Sequence, residues 1–420
     1  GTLVVTFTNL ILVKVLFSYT GVSQAAINQV LRKRQSPQRA WRFLSKLADP
    51  RIAIVSIVLA AGLGIWSFTT AKDLKVGDLD PGAPELWPDS RYNRDDAFVT
   101  SNYSVSADVL VVMVESQPDK CTSYPVIESM DRFMWHMENV DGVQSAVSLA
   151  TISKRMVTGY NEGNLKWQQV PKVEEILNNS MPSDMVASLM NVSCDLAPVV
   201  VFLRDHKAET LNAVTDAVKA FAAENDSDTA RFVLASGNAG VEAATNQTVE
   251  RAARTMMWLV YAIVIVMCWL TFRFSIAAVI CVITPLVLTS LLCEALMAKF
   301  GMGLKVATLP VIALGVGIGV DYGIYIYSKM MEFMAKGQDL REAYFNTLCV
   351  TGKAITFTAV SLAIGVGTWA FSDIKFQADM GILLTFMFVW NMVGAMWLLP
   401  ALADFLIKAG KKKNGNGAKA

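Results

Sequence analysis

From residue 255 to residue 403 the chain passes through five apolar stretches in quick succession: 255–272, 274–293, 306–328, 354–372 and 380–403. A helix that crosses the hydrocarbon core of a bilayer needs roughly 20 mainly apolar residues, within a range of about 17–25. No water reaches that depth, so backbone polar groups must be satisfied inside the segment, and a helix does this. Two more stretches lie upstream, 52–70 and, interrupted by Lys14, 2–19. The sequence therefore predicts a polytopic α-helical membrane protein with seven spans. Only 17% of the residues are charged, against about 25% in soluble domains.

Between the second and third of these spans lies a polar block, 71–254. The predicted order is a first helix over 1–20, a basic linker helix over 21–50, a span over 51–70, the polar domain, a five-helix bundle over 255–406 and a basic tail over 407–420. The linker carries Arg32, Lys33, Arg34, Arg39, Arg42, Lys46 and Arg51, and the tail carries Lys408 and Lys411 to Lys413. Lys and Arg concentrate in cytoplasmic loops, which places linker and tail inside. Residues 72–250 hold 14 basic and 27 acidic side chains, a net formal charge of −13, and alternation of the spans puts this block outside. Residues 12–19 echo 398–405, the end of the last span. Helix 1–20 then reads as the end of a preceding repeat, as in the duplicated helical halves of many transporters.

The outside block opens with 71–104, rich in Gly, Pro and Asp and expected to run extended over a surface. A Val-rich strand at 107–114, a helix at 122–139 and a strand at 143–149 come next. After a polar insert, 150–193, the pattern repeats as strand 197–204, helix 208–224 and strand 230–236. Two βαβ units around an insert fit an α+β split-βαβ, ferredoxin-like domain. In that arrangement Cys121 follows the first strand and Cys194 precedes the third, at the same sheet edge. They are either a disulfide or two unpaired thiols, and a Cα separation above about 7 Å excludes the bridge.

The sequence contains no GxxxxGK[ST], HExxH or GxSxG. Two His and six Cys without a CxxC pair suggest no metal site. The reading is of a protein that is not an enzyme and carries no cofactor. Ionisable residues at membrane depth mark ion or substrate paths by default, and Asp321 is the main one. It lies in Gly315-Val-Gly-Ile-Gly319-Val-Asp321-Tyr322-Gly323, with the next charge, Lys329, eight residues on, roughly 12 Å along a helix. A charged Asp at a helix centre costs about 2.5–3.5 kcal/mol on insertion scales, so such a group can take up and release a proton. Tyr322 adds a hydroxyl at the same level. Gly315, Gly319 and Gly323 form a small-xxx-small face that lets another helix approach closely, and this packing is expected beside the relay. In the next span Thr356, Thr358 and Ser361 supply hydroxyls.

Gly-Val-Asp321-Tyr322 in the fourth helix of a one-plus-five set resembles the resistance–nodulation–division superfamily, and most nearly its MMPL-like branch. Val76-Gly77-Asp78, the stretch from Gly82 through Pro84 and Pro88 to Asn93, Thr356 through Gly367, and Leu398-Leu399-Pro400 are similar as well. The resemblance implies twelve helices in two pseudo-repeats, of which this chain would be the sixth helix and the whole second half. It implies a proton relay of Asp321 and Tyr322, with Thr358 at the relay threonine position of the multidrug branch and protons as the coupling ion. It also implies a multi-pass protein of the bacterial inner membrane with its large domain in the periplasm, exporting hydrophobic or lipid-like molecules by proton-motive force. Expected partners are membrane lipids, the N-terminal half of the same transporter, the hydrophobic substrate, and an oligomer mate or periplasmic accessory protein, with no nucleic acid. The alternatives are a proton-coupled protein-translocation accessory and a sterol- or lipid-sensing module without net transport.

Overall fold

The computed structural model describes residues 4, 7–20, 23 and 39–416. Val4 and Phe7 are helical, and helix continues over Thr8–Leu12 into α1 (Val13–Thr20); the predicted span 2–19 falls partly outside the described residues. So does the linker, including Arg32, Lys33 and Arg34; within it, Arg39–Leu44 is helical. Next come α2 (Pro50–Ala71) and α3 (Arg91–Asn102). The polar domain continues with β1 (Val109–Glu115), α4 (Tyr124–Glu138), β2 (Val143–Val147) and α5 (Leu149–Tyr160). It ends with β3 (Leu196–Leu203), α6 (Ala208–Asn225) and β4 (Arg231–Ser236). The bundle comprises α7 (Asn238–Thr271), α8 (Ile276–Phe300), α9 (Leu309–Ala335), a short α10 (Leu340–Thr347), α11 (Lys353–Gly367) and α12 (Lys375–Asn416). Among the described residues six helical stretches are long and apolar enough to cross a membrane: α2, α7, α8, α9, Leu340–Phe371 and Lys375–Leu406. Among the described residues the protein is mostly helical with one small antiparallel sheet.

The four strands lie in the order β2-β3-β1-β4, all neighbours antiparallel. Alternation places Leu110, Val112 and Val114 of β1 with Ala197, Val199, Val201 and Leu203 of β3 on one buried face. Helices α4 and α6 pack there through Met130, Phe133, Val214 and Val218. Phe133 stacks against both Phe221 and Phe232, at centroid distances of 5.1 and 4.9 Å. Gly237 joins β4 to α7 at φ +88°, where a Cβ would lie 2.2 Å from the Val109 carbonyl oxygen. Only glycine takes this turn without collision.

Two details differ from the sequence reading, and the insert it left without a structure gains one. Residues 91–102 are helical rather than extended, because Ser90 accepts the Asn93 backbone N–H at 3.3 Å and Asn93 in turn bonds Ala83 and Trp87. The insert 150–193 contains α5, capped by Ser148, and shorter helical turns after it. The boundary at 254 falls inside one continuous helix: α7 starts in the sheet domain at Asn238 and runs on into the bundle.

The segment 72–90 seats the sheet domain on the bundle. Val76 bridges Leu304 in the α8–α9 connection, and Leu86 bridges Ile374 just before α12. The Trp87 indole N–H donates to the Ser372 carbonyl at 3.1 Å, Lys305 pairs with Asp78 at 2.7 Å, and Lys375 pairs with Asp80.

Candidate functional site

Asp321 lies midway along α9, and the turn that carries it has two unlike faces. Gly315, Gly319 and Gly323 are buried. A Cβ at Gly315 would meet the Met387 side chain at 2.1 Å, one at Gly319 would meet Asn391 at 2.4 Å, and one at Gly323 would meet Val282 at 3.0 Å. The glycine face therefore holds α12 and α8 at close range. Asn391, 2% exposed, donates its Nδ2–H to the Gly315 carbonyl at 2.7 Å. The sequence reading did not single out this residue; its one signal is an amide in the middle of an apolar span.

Asp321 stands two residues beyond Gly319, roughly 200° around the helix, and so faces away from this packing. Leu314, Gly317, Asp321, Tyr325 and Ser328 form one exposed stripe, spaced by three and four residues. None of the described helices covers that stripe. The tight glycine contact expected beside the carboxyl thus lies on the opposite side of α9. Tyr322 turns inward and is 4% exposed, with its hydroxyl unpartnered among the described residues.

Thr358 lies on the outer, exposed side of α11. Among the described residues no hydrogen bond joins Asp321, Tyr322 and Thr358 to one another. Thr356 instead returns its hydroxyl proton to the Gly352 carbonyl at 2.8 Å, the usual fate of a helical threonine. Cys121 and Cys194 are joined by a disulfide with a Cα–Cα distance of 5.1 Å. Among the described residues one group has the spacing for a metal ion: Asp78, His206 and Glu242.

The close approach of α9 and α12 makes a prediction. Gly319→Ala places a methyl against Asn391 and strains its bond to Gly315, so the detergent-solubilised protein is expected to lose about 1–3 kcal/mol. Gly62→Ala in α2, where a Cβ meets nothing within 4 Å, is the matched control. Equal thermal midpoints for the two variants would contradict tight packing at Gly319.

Among the described residues a sheet domain is rooted on six helices long and apolar enough to cross a membrane, one of them carrying an acid at mid-length, and this defines a multi-pass membrane protein. The MMPL family profile matches residues 100–417, and the chain belongs to the MMPL family. It is 30% identical over 97 residues to the probable trehalose monomycolate exporter MmpL3 of Mycobacterium leprae, covering 23% of this chain and 10% of that protein. It is 25% identical over 221 residues to the siderophore exporter MmpL5 of Mycobacterium tuberculosis, covering 51% of this chain and 23% of that protein. A putative membrane protein of Methanocaldococcus jannaschii is 21% identical over 324 residues, covering 74% of this chain and 81% of that protein. The two mycobacterial exporters are thus matched over less than two thirds of their own length.

Proposed function

We propose that this chain is part of a proton-coupled exporter of hydrophobic or lipid-like molecules, seated in a bacterial inner membrane with its sheet domain in the periplasm. The observation that carries the proposal is the position of Asp321, an ionisable group at the middle of a helix face left uncovered by the other described helices. A lone carboxyl on such a face would be costly against lipid. A second helical bundle, the N-terminal half of the same transporter, would cover it and complete the relay. Asp321 would hold the proton, with Tyr322 and Thr358 as hydroxyl partners once the halves meet. The names of the MmpL3 and MmpL5 relatives support export as the activity, and the strand order β2-β3-β1-β4 supports a split-βαβ, ferredoxin-like porter domain. Helix 1–20 would be the seventh span, belonging to the preceding repeat. The protein would act as a carrier rather than an enzyme, with protons as its coupling ion and membrane lipids as its surroundings.

Neutralising Asp321 removes a charge from the interface and lets the two bundles shift against each other. One elementary charge is worth about 2.3 kcal/mol per 100 mV, enough to bias two states a few kcal/mol apart. The test uses the full-length protein in sealed vesicles loaded with a fluorescent acyl-chain probe. An imposed pH gradient should drive probe movement, and a protonophore should stop it. Movement that persists unchanged without the gradient would overturn the coupling, and movement of peptides but not of acyl chains would overturn the substrate class.

A further inference from the structure

We propose that Asp78, His206 and Glu242 bind a divalent transition cation of the zinc class at the root of the sheet domain, with Asp108 as the positioning residue for His206. The three come from separate parts of the chain. Asp78 follows α2, His206 follows β3, and Glu242 lies in the second turn of α7. Their ligand atoms all lie within 4.8 Å of one another. Zinc bonds to N and O are about 2.0–2.2 Å long, so an ion placed among these atoms is reached by small side-chain rotations.

The state of His206 points to an ion. Its side chain is 4% exposed, and its Nδ1 lies 2.9 Å from Asp108 Oδ1. Donation from Nδ1–H to Asp108 leaves the Nε2 lone pair free, and Nε2 is buried with no partner among the described residues. Glu242 Oε1 is likewise buried and unpartnered. Histidine ligands commonly hold one ring nitrogen against a carboxylate while the other faces the ion, and that contact sets both tautomer and ring orientation.

Charge around the site is unbalanced in the same sense. Asp78, Asp96, Asp108 and Glu242 line one cavity of about 620 Å³ with a single ammonium, Lys305. Lys305 engages Asp78 through Oδ1 at 2.7 Å, and the Glu242 carboxyl lies within hydrogen-bond reach of the Asp78 carboxyl, so an ion between the two would take the place of that contact. The pocket therefore attracts cations. An imidazole with two carboxylates suits a borderline transition ion better than Ca²⁺ or Mg²⁺, which take oxygen-only shells. With three protein ligands, a fourth position remains open to the cavity, where water completes the tetrahedron. Such an ion would tie the exits of α2 and β3 to the start of α7, the helix that enters the bundle. This inference is independent of the transport reading, because it concerns binding alone.

The test is metal content and affinity of the full-length protein in detergent. Elemental analysis after dialysis against Zn²⁺ and removal of free ion should give one zinc per chain. EDTA should lower the thermal midpoint of the unmutated protein, and added Zn²⁺ should restore it. His206→Gln and Glu242→Gln should each weaken Zn²⁺ binding by at least about 100-fold. Asp108→Asn should weaken it about 10–100-fold yet still reach one equivalent at saturation, the result that separates positioning from ligation. The proposal is overturned if the unmutated protein neither retains zinc nor responds to chelator, or if the His206 and Glu242 variants bind as tightly as the parent. Binding of Ca²⁺ at or above the affinity for Zn²⁺ would overturn the assigned class.

Discussion

Asp321→Asn, made in the full-length protein, is expected to reduce gradient-driven movement of an acyl-chain probe to that of protein-free vesicles while leaving expression and thermal midpoint unchanged. Both parts follow from where the side chain lies. Asp321 is on the exposed stripe of α9 and makes no hydrogen bond or ion pair among the described residues. Asn keeps the size and shape of the carboxyl it replaces, so the second bundle proposed to cover this stripe loses no packing volume there, and volume-conserving changes usually cost less than about 1.5 kcal/mol. The amide cannot take up a proton, so the state that the gradient is proposed to populate is lost. Tyr322→Phe provides a second measurement, because its buried hydroxyl is unpartnered among the described residues. Deleting that hydroxyl should leave stability unchanged or slightly raised, so any fall in transport reports the proton path rather than the fold. Asp321→Glu, which keeps a carboxyl, is expected to retain part of the activity. Undiminished transport by the Asn variant would end the relay assignment.

Features set by a run of neighbouring residues were legible in the chain. A span requires only some twenty apolar side chains in a row, and six of the seven predicted stretches overlap helices long and apolar enough to cross a membrane. Val-rich strands and the helices between them were equally local, so β1, α4, β2, β3, α6 and β4 all lie close to their predicted places. Features held by distant partners were not legible. Residues 91–102 are polar and carry no helical stripe, and their helix depends on Asn93 reaching back to Ala83 and Trp87. The start of α7 was missed because its first turns pack on the sheet through Ala239 and Ala243 and carry no membrane signal.

The candidate relay divides in the same way. An acid at membrane depth shows in one dimension, and the positions of Gly319 and Asp321 already imply opposite faces at 100° per residue. Which face meets α12 does not show, because that depends on Met387 and Asn391 far along the chain. The Asp78, His206 and Glu242 group was invisible for the same reason: each comes from a different element, and a lone histidine after a strand carries no spacing pattern. Counting two His and no CxxC pair says nothing about carboxylates that tertiary packing gathers around one imidazole.

Breaking the Cys121–Cys194 bridge is expected to destabilise the sheet domain by about 4 kcal/mol, on the chain-entropy estimate for its sequence separation of 73. The bridge lies just past the end of the central ladder, where Glu115 pairs with Leu196. Beyond that pair the backbone continues to bond, Ser116 N–H to the Asp195 carbonyl at 2.8 Å and Cys121 N–H to the Cys194 carbonyl at 2.9 Å. The closed loop contains α4, β2, α5 and the helical insert, so its loss frees a large part of the domain to open. The bundle does not depend on this link, since α8 to α12 lie outside the loop that Cys121 and Cys194 close. A Cys121→Ser, Cys194→Ser double variant should therefore become sensitive to protease within residues 116–195 while α8 to α12 stay protected. Reduction of the unmutated protein should reproduce that pattern. Thiol trapping in intact cells adds sidedness, because structural disulfides persist where the compartment is oxidising. Non-reduced samples should show no label on Cys121 or Cys194, and label on both in unperturbed cells would remove the bridge together with the periplasmic placement of the sheet domain.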